Sequence, residues 1–591
     1  MHTNLRLFRL VFATQPRLIL GLFASVLFSS TLPFLQSGSQ GLLINNLVSE
    51  ASRGFRAFLL GDSGLILGVF LATSVAIPLV YILFEHFSKL LWIANEQTLT
   101  LAVLKKQSEL DIATHEDPAY NNLLRKINEE GNYRARNVSD RHFYILQNLI
   151  QIGIAAVIIL TIRWWLLIII FVAALPELII ELRHGNQIWG IASEESEERR
   201  WYWELRSHFS RAASLVELKL FQNSPHFLAL LRTLFSAFQD RQRVSEERRF
   251  ARMSGAAALT QLAALAALVF FVFEVLEGRM QIGTLVFYYS SVREFRSSLS
   301  NFFSNLGRQY QDTLFVRDLF TFLDIPPALD YARSKVTLAH AAPTIEFRNV
   351  SFTYPGSSTP VLTNFSLTIR PGERLALVGV NGAGKTTLVK LLARFYDPSS
   401  GTILINGTDL REIDLGSWYS LLGTLFQEYA KYEFVTKDAI AIGRSSETLD
   451  IVRVQGAAEA SEASGFIEAW EKRYEQMLGK EFTGGVEPSV GQWQKLALAR
   501  TFYRDPHVLI LDEPTASVDA EAEAKIFERL ERLPGDRSVI LISHRFSTVR
   551  HADRIAVIDG GTLIELGSHD ELVAKGGTYA RLFALQAKGY Q

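Results

Sequence analysis

The chain contains no cysteine among its 591 residues, and this absence removes several classes of site. Without a thiol the protein has no disulfide, no thiolate-bound metal and no cysteine nucleophile. The compartment in which the protein works is left open, because a cysteine-free chain is compatible with both reducing and oxidising surroundings.

Net charge is also nearly absent. The formal net charge is −1, and no block of five or six like charges occurs in the sequence. A field of one sign that would attract nucleic acid is therefore missing, and we expect no nucleic-acid partner. The hydrophobic fraction of 48% is ordinary for a soluble protein, but it averages two unlike halves.

Charged side chains are missing from four long stretches of the first half. Each stretch runs for 18 to 20 residues. They are Leu18–Leu35, Leu65–Phe84, Phe143–Ile162 and Ser254–Phe273. A helix that rises ~1.5 Å per residue needs about 20 such residues to cross ~30 Å of hydrocarbon. The stretches predict membrane-spanning helices, and buried helices of a large soluble core explain four of them less well.

Two further candidate spans contain charges. Trp164–Ile180 is interrupted by Glu177, and Ile282–Leu306 is interrupted near its middle by three charged residues. Those three are Arg293, Glu294 and Arg296. Together with the four uncharged stretches, these spans predict an all-α transmembrane domain of six helices.

Basic residues near the N-terminus give the orientation. The tail before the first span carries Arg6, Arg9 and Arg17 and no acidic residue, so we expect it on the cytoplasmic side. Six spans then return the chain to the cytoplasm. A cleaved signal peptide over residues 1–35 is not expected, because the apolar run is too long and no small-x-small cleavage site follows it.

From about Pro343 the sequence changes to short β-rich runs separated by helical stretches. The clearest runs are Thr344–Phe347, Arg374–Val378, Val508–Leu511 and Val539–Ile542. Residues 325–342 contain Pro326 and Pro327 and are typical of a linker. The sequence therefore predicts a membrane domain over residues 1–324, this linker, and an α/β domain over residues 343–591.

A phosphate-binding loop, Gly379–Thr387, follows a predicted strand and opens a helix predicted over Thr387–Phe395, which is the context its pattern requires. Its glycines let backbone N–H groups turn onto the β-phosphate. Lys385 reaches the β- and γ-phosphates, and Thr386 offers a hydroxyl to Mg²⁺. The residues of the loop expected to contact ATP are Gly379, Asn381, Gly382, Gly384, Lys385, Thr386 and Thr387.

A second element of an ATPase follows at Val508–Glu513. Four apolar residues that end in two carboxylates describe a buried strand that delivers both at its carboxyl edge, where nucleotides bind in such sheets. Asp512 is expected to hold Mg²⁺, directly or through water. Glu513 is the candidate general base for the attacking water. The two elements together predict an α/β P-loop ATPase domain that uses ATP and Mg²⁺.

These motifs, in this order, resemble those of an ATP-binding-cassette (ABC) exporter of the half-transporter type, and the resemblance covers nearly the whole chain. It implies that Tyr354 stacks on adenine, that Gln427 touches Mg²⁺ and the membrane domain, and that His544 is the switch histidine near the γ-phosphate. The residues it implies for catalysis are Glu513, His544, Lys385 and Gln427, and those for Mg²⁺ are Thr386, Gln427 and Asp512.

The resemblance also implies a site shared between two chains. The signature loop, Ser489–Gln492, would cover ATP held by a partner chain, and Asp519 would lie in the loop that contacts the partner. The signature residues expected at the partner's nucleotide are Ser489, Gly491 and Gln492. The partner is a second copy, which we favour, or a related half-transporter. The pair would sit in a lipid bilayer, the bacterial inner membrane, with its ATPase domains in the cytoplasm.

Two charged segments of the first half resemble the coupling helices of the family. Asp111–Tyr120 resembles the first and Glu217–Phe221, with its neighbours, the second. By resemblance both would dock on an ATPase domain near Gln427 and carry motion to the membrane helices. Solvated charged loops are the alternative interpretation of both segments.

The signature loop departs from the family's usual Leu-Ser-Gly-Gly-Gln. Pro488 removes an N–H group, and Val490 places a branched side chain where glycine allows close approach and a free backbone angle. Ser489 and Gly491 retain their groups for a γ-phosphate at a helix start. Two interpretations are open. The altered signature sequence is either tolerated, with normal turnover, or it weakens the site, in a homodimer or in an unequal heterodimer.

The transported substrate is not determined by the sequence. Arg293 lies about 11 residues, or ~16 Å, into the sixth span, where charges should face a cavity or a partner rather than lipid. Substrate contact and ion pairing are both open there, and Glu177 is either a counter-charge or another cavity group.

Three classes of function fit the motifs. Export of an amphipathic small molecule or peptide is favoured, a lipid or lipid-linked flippase shares every motif, and a regulatory, non-transporting ATPase is disfavoured by the membrane spans. Because the chain lacks cysteine, it is not expected to carry the cysteine-protease leader peptidase of some peptide exporters.

Overall fold

The computed structural model of the protein describes most of the chain. The residues it leaves undescribed are 1–5, 11–14, 51–57, 59–60, 129–131, 194–196, 330–334, 516, 533–534, 544 and 588–591. The described chain divides into two units, one of residues 1–109 and 118–326 and the other of residues 110–117 and 327–591.

The first unit consists of helices. The six long ones are α1 (Pro16–Glu50), α2 (Asp62–Glu109), α5 (Asn132–Leu160), α6 (Trp165–Ser193), α9 (Ser224–Leu276) and α10 (Ile282–Leu323). Four shorter helices lie between them, of which the first belongs to the second unit: α3 (Ile112–His115), α4 (Pro118–Lys126), α7 (Glu197–His208) and α8 (Ala212–Leu220).

Five of the described helices are long and apolar enough to cross a membrane, by length and composition, namely α1, α2, α5, α6 and α9. They correspond to the first five predicted spans, although α5 ends two residues before Ile162 and α6 begins one residue after Trp164. The sixth predicted span lies in α10, an unbroken helix of 42 residues that carries the three charges and is not among the five. At ~1.5 Å per residue, the 53 residues of α9 exceed the thickness of a bilayer, so part of this helix continues outside it.

Small and aromatic side chains pack the middle of the membrane helices. Val292, Phe295 and Leu299 of α10 are buried in one cluster with Ala264 and Ala267 of α9. The two alanines lie at the centre of the uncharged stretch of α9. The buried face of α10 therefore packs at mid-membrane depth, with Val292 and Phe295 directly next to the charged residues in the sequence.

The second unit contains two sheets. Their strands are β1 (Ile345–Phe352), β2 (Leu362–Ile369), β3 (Arg374–Val378), β4 (Ser400–Ile405), β5 (Thr408–Asp409), β6 (Leu422–Leu425), β7 (Val508–Asp512), β8 (Ser538–Ile542), β9 (Arg554–Asp559) and β10 (Thr562–Gly567). The antiparallel sheet has the order β2-β1-β4-β5, and the six-stranded sheet has the order β10-β9-β3-β8-β7-β6.

Helices surround these sheets. They are α11 (Lys385–Leu392), α12 (Leu415–Leu421), α13 (Thr436–Ala441), α14 (Ile451–Ala460), α15 (Ser464–Ala469), α16 (Val490–Tyr503), α17 (Ala520–Glu531), α18 (Phe546–Val549), α19 (His569–Lys575) and α20 (Thr578–Ala587). The α11 helix begins two residues before its predicted start and ends three residues before its predicted end. It stops there because Arg394 adopts a left-handed backbone with φ of 51°.

The six-stranded sheet positions the site. β8 pairs in parallel with both β3 and β7, so the carboxyl ends of these three strands meet at one edge. All residues of β7 and β8 are buried, which explains why both strands read as continuous apolar runs. The loop after Val378 and the carboxylates at Asp512 and Glu513 are thereby brought together.

Candidate nucleotide site

The phosphate-binding loop is shaped by glycine at its tightest points. A Cβ added to Gly379 would lie 2.2 Å from the carbonyl oxygen of Ile558, so no side chain fits there. Gly384 caps α11 with φ of +100°, a left-handed conformation that other residues rarely adopt. The sequence pattern therefore matches two separate steric demands of the loop.

Lys385 lies inside this loop. Its side chain is 7% exposed, and Nζ donates hydrogen bonds to the carbonyl oxygens of Gly379 at 2.9 Å and Val380 at 3.0 Å. Burial lowers the pKa of the Lys385 ammonium, against the opposing charges of Asp512 and Glu513. The ammonium is held by two carbonyl groups that phosphate oxygens can replace.

Asp512 and Thr386 form a pair of hard oxygen ligands. Thr386 Oγ1 donates a hydrogen bond to Asp512 Oδ2 at 3.1 Å. Burial raises the pKa of the Asp512 carboxyl, and the charge of Glu513 adds to the effect, while the Thr386 bond and Lys385 oppose it. A hydroxyl and a carboxylate are the donors that Mg²⁺ prefers, so the residues fit this ion.

Among the residues that the structure describes, no group of three or more histidine, aspartate or glutamate residues could hold a metal. Mg²⁺ commonly takes only one or two carboxylates from a protein and completes its shell with water and phosphate oxygens. The single carboxylate at Asp512 is therefore consistent with an ion that arrives with its nucleotide.

Glu513 follows directly after β7 in a strained backbone. Its φ is +50°, a left-handed value that costs a non-glycine residue about 1–3 kcal/mol and that clusters at functional sites. Gln427 Nε2 lies 3.4 Å from Glu513 Oε2, within hydrogen-bonding distance. The predicted base and the predicted glutamine thus meet although they are 86 positions apart in the chain.

These residues surround one cavity of about 610 Å³, a volume within the usual range for small-molecule sites. It is lined by Val361, Asn381, Gly382, Gly384, Lys385, Thr386, Thr387, Gln427, Asp512, Glu513 and Ile542. All three predicted Mg²⁺ ligands are in this lining. The predicted Gly379 is not in the lining, but its carbonyl oxygen accepts a hydrogen bond from Lys385. Val361 and Ile542 line the cavity although the sequence did not predict them.

The signature residues do not line this cavity. Ser489 caps α16: its Oγ accepts the Gln492 N–H at 3.3 Å, and the Gln492 side chain accepts the Ser489 N–H at 2.8 Å. Val490 is the first residue of the helix, is 58% exposed and is not among the described residues with positive φ. Inside its own chain, therefore, Val490 creates no backbone strain.

Three other predicted residues have different outcomes. The Tyr354 hydroxyl lies 3.1 Å from Thr387 Oγ1, but the ring is not part of the cavity lining. Asp519 caps α17 by accepting the Ala522 N–H at 2.9 Å. His544 lies outside the described residues, two positions after the end of β8 in the sequence.

Two residues near the site were given no role from the sequence, although Gln494 begins the stretch that resembles the family's signature helix. Gln494 of α16 is 5% exposed and bonds to the backbone of the segment after β7, and the Tyr429 hydroxyl donates to the Val490 carbonyl at 3.0 Å. A signal for Gln494 existed, because it continues the buried helical face of Ala497, Leu498 and Thr501. A polar residue on such a face usually has fixed partners.

The first predicted coupling segment packs with the ATPase unit, to which residues 110–117 belong. Glu116 pairs with Lys390 Nζ at 2.8 Å and accepts a hydrogen bond from the Tyr396 hydroxyl. Burial alone would raise the pKa of Glu116, but these two partners outweigh it and hold the pKa below its usual value. Ala113 packs against the core of the unit.

The second predicted coupling segment lies at the end of α8. Its apolar side chains are uncovered: Val216 is 66% exposed, Leu220 73% and Phe221 62%. Apolar residues adjacent on a helix and this strongly exposed are typical of a surface that a partner covers.

The charges of the membrane helices are not arranged as one ion-pair cluster. Glu177 is buried and accepts hydrogen bonds from Thr260 Oγ1 at 2.7 Å and Ser300 Oγ at 2.5 Å, and not from an arginine among the described residues. Of the two roles left open for Glu177, counter-charge or another cavity group, the counter-charge finds no support in these contacts. Arg293 is exposed, and the Nε atom of Arg296 is buried with no hydrogen-bond partner among the described residues.

Comparison with known proteins places this site in a family. A family model described as "ABC transporter" matches residues 362–516. The subtilin transport ATP-binding protein SpaT of Bacillus subtilis is 26% identical over 96% of this chain and 91% of its own length. An ATP-dependent lipid A-core flippase of Burkholderia orbicola is 41% identical, but the match covers only 42% of this chain and 41% of that protein.

The fold has a solved counterpart. A bacterial Atm1-family ABC exporter with ATP bound superposes with a TM-score of 0.84 at 23% identity, covering 97% of this chain and 99% of that chain. The helical region, the α/β domain and the nucleotide cavity agree with these matches. The chain is therefore an integral membrane protein that contains an ABC transporter ATPase domain, and its fold is that of an ABC exporter with the helical region and the ATPase on one polypeptide.

Proposed function

We propose that two copies of this chain form an exporter in the bacterial inner membrane that uses ATP hydrolysis to move an amphipathic small molecule or peptide out of the cytoplasm. The observation that carries this proposal is the incomplete nucleotide cavity. It holds the phosphate loop, Asp512, Glu513 and Gln427, whereas the Ser489 loop is absent from its lining. A second chain would supply that loop.

The exposed groups of the chain support a second copy. Ser489 and Val490 are exposed at the start of α16, where a helix N-terminus favours a phosphate. The apolar residues at the end of α8 are likewise uncovered. Both surfaces are accounted for if two chains face each other around ATP, which the resemblance to ABC exporters implies.

In the proposed reaction Lys385 exchanges its two carbonyl partners for the β- and γ-phosphates of ATP. Thr386 and Asp512 would hold Mg²⁺, which neutralises charge on the phosphates. Glu513 accepts a proton from the attacking water, and Gln427 orients the Glu513 carboxylate through the contact between their side chains. His544 is expected to contact the γ-phosphate.

Binding and hydrolysis would reach the membrane helices through residues 110–117. Because Glu116 and Ala113 bind the ATPase unit, a movement of this unit moves the segment that connects α2 and α4. ATP binding then favours one conformation of the membrane helices and hydrolysis releases it, since a ligand that binds only one state shifts the population toward that state.

Replacement of Glu513 by glutamine tests the proposal. The full-length variant in nanodiscs is expected to bind ATP as the parent does and to lose turnover, because an amide accepts no proton from water. Glu521→Gln is a matched control, since this glutamate of the same unit is 81% exposed and pairs only at the surface with Lys525. Full hydrolysis by Glu513→Gln would refute the assigned base.

A lipid or lipid-linked flippase is the second candidate. The flippase relative matches only about two fifths of this chain, whereas the subtilin transport protein matches nearly all of it, and this difference favours export. ATP-dependent uptake into inside-out vesicles, measured with a panel of peptides, dyes and labelled lipids, distinguishes the two. Uptake of peptides or dyes without lipid transfer supports export, and the reverse result supports a flippase.

A further inference from the structure

Gln494 bridges the two ends of the segment that carries Glu513. Its side chain is 5% exposed, so the amide is buried away from solvent. Nε2 donates to the carbonyl oxygen of Glu513 at 2.9 Å, and Oε1 accepts the backbone N–H of Ser517 at 3.0 Å. One side chain of α16 thus satisfies both a donor and an acceptor of the chain that leaves β7.

The Glu513 backbone needs such support. Its φ of +50° lies in the left-handed region, where a residue with a side chain stays only when its surroundings hold it. On the other side, the Glu513 N–H donates to the carbonyl oxygen of Ile542 at 2.9 Å. The peptide groups on either side of the Glu513 Cα are therefore fixed, one by β8 and the other by Gln494.

Two further contacts join α16 to the same segment. A Cβ on Gly491 would lie 2.5 Å from the carbonyl oxygen of Ser517, so the start of the helix lies against this carbonyl group. Lys495 pairs with Asp519 at 3.4 Å. The α16 helix therefore contacts the chain after β7 at Glu513, Ser517 and Asp519.

We propose that Gln494 is a positioning residue that couples the signature helix to the catalytic glutamate of its own chain. The inference rests on the proposed role of Glu513 and adds that the signature helix controls the position of this glutamate. When Ser489 engages the nucleotide of the partner, α16 is fixed, and Gln494 transfers that restraint to the Glu513 backbone. Each chain then aligns its own base only while it also covers the ATP of the other chain.

The test compares Gln494→Met with Gln476→Met in the full-length protein. Gln476 is an equally buried glutamine of the same unit, 2% exposed, that donates to the Gly484 carbonyl at 2.7 Å and accepts the Lys472 N–H at 3.4 Å. Both variants lose the same kinds of buried bonds. Only Gln494→Met is expected to reduce kcat, on the order of 10- to 100-fold, with KM for ATP within about twofold, as misplacement of a catalytic group does.

Equal falls of kcat and Tm in the two variants would overturn the proposal, because they would show a general effect of lost buried bonds. A parental kcat in Gln494→Met would overturn it as well. If the methionine variant does not fold, Gln494→Glu decides. It retains an acceptor for the Ser517 N–H and, when ionised, places a carboxylate oxygen instead of a donor against the Glu513 carbonyl, so a parental kcat at a pH where it is ionised contradicts the inference.

The outcome is separable from the assignment of the base. Loss of hydrolysis in Glu513→Gln with normal turnover in Gln494→Met would leave the proposed function intact and remove this inference alone. Full hydrolysis in Glu513→Gln would instead refute the assigned base, on which this inference rests.

Discussion

Charge reversal at Glu116 tests whether residues 110–117 couple the ATPase to the membrane helices. In Glu116→Lys the pair with Lys390, 2.8 Å apart in the parent, becomes two cations. The Glu116 side chain is 46% exposed, so the lost ion pair contributes at most about 1 kcal/mol. Repulsion between like charges at ~4 Å adds about 1–2 kcal/mol in a largely solvated setting.

The sum of about 1–3 kcal/mol weakens the docking of this segment by about 5- to 150-fold. ATP binding at the distant phosphate loop should stay unchanged, and so should the Tm of the ATPase unit, because the core contacts of that unit remain. ATP-dependent uptake into inside-out vesicles is expected to fall severalfold relative to ATP hydrolysis. Measurement of both rates in the same vesicles gives the coupling ratio directly.

The double variant Glu116→Lys, Lys390→Glu supplies the control, because it restores the opposite charges in exchanged positions. Its coupling ratio is expected to recover most of the loss. Glu109→Gln is a second control, since this exposed glutamate makes only a 3.9 Å pair with Lys105 one turn away. A parental coupling ratio in Glu116→Lys, or no recovery in the double variant, would refute the coupling role of the segment.

Three other predictions concern the site and the membrane helices. Val490→Gly should raise ATP turnover tenfold or more if Val490 weakens the signature loop. Parental turnover in an ATPase assay would show that the altered signature sequence is tolerated. Asp512→Asn should abolish hydrolysis yet raise the Tm of the nucleotide-free protein at pH 7, because burial raises the pKa of Asp512 and disfavours its charged form. The Tm difference should vanish as the pH falls below the unfolded pKa of ~3.9, where both states are protonated, and its persistence there in a thermal scan would contradict this cause. Neutralising Arg293 and Arg296 together should change substrate-stimulated ATPase more than basal ATPase if they contact substrate, and equal changes in both would exclude that contact.

Much of the nucleotide site was predictable because its signals are local. Glycines at fixed positions shape the phosphate loop, and a buried apolar strand ending in two carboxylates describes β7. The resemblance to ABC exporters, rather than a local pattern, implied that Gln427 joins Asp512 in one site, and both line the cavity. Such motifs are readable because neighbouring residues carry both the fold and the chemistry.

The rest depends on contacts between distant residues. Gln494 bonds to residues 19 and 23 positions away, and Glu116 pairs with a lysine 274 positions away, and no local pattern specifies either pairing. Glu177 shows the same limit. Its charge suggested an arginine partner, but the fold provides two hydroxyl groups, of Thr260 and Ser300, that look ordinary in the sequence.

The central claim is that two chains share each nucleotide site, and cross-linking tests it most directly. Because the chain has no cysteine, Val380 and Val490, 50% and 58% exposed, can be replaced by cysteine in the Glu513→Gln protein without competing thiols. Treatment with a short bis-maleimide is expected to produce a covalent dimer that requires ATP, since Val380 of one phosphate loop would then face Val490 of the other signature loop. Bound ATP with no cross-linked dimer, or with cross-links only within one chain, would contradict the shared site.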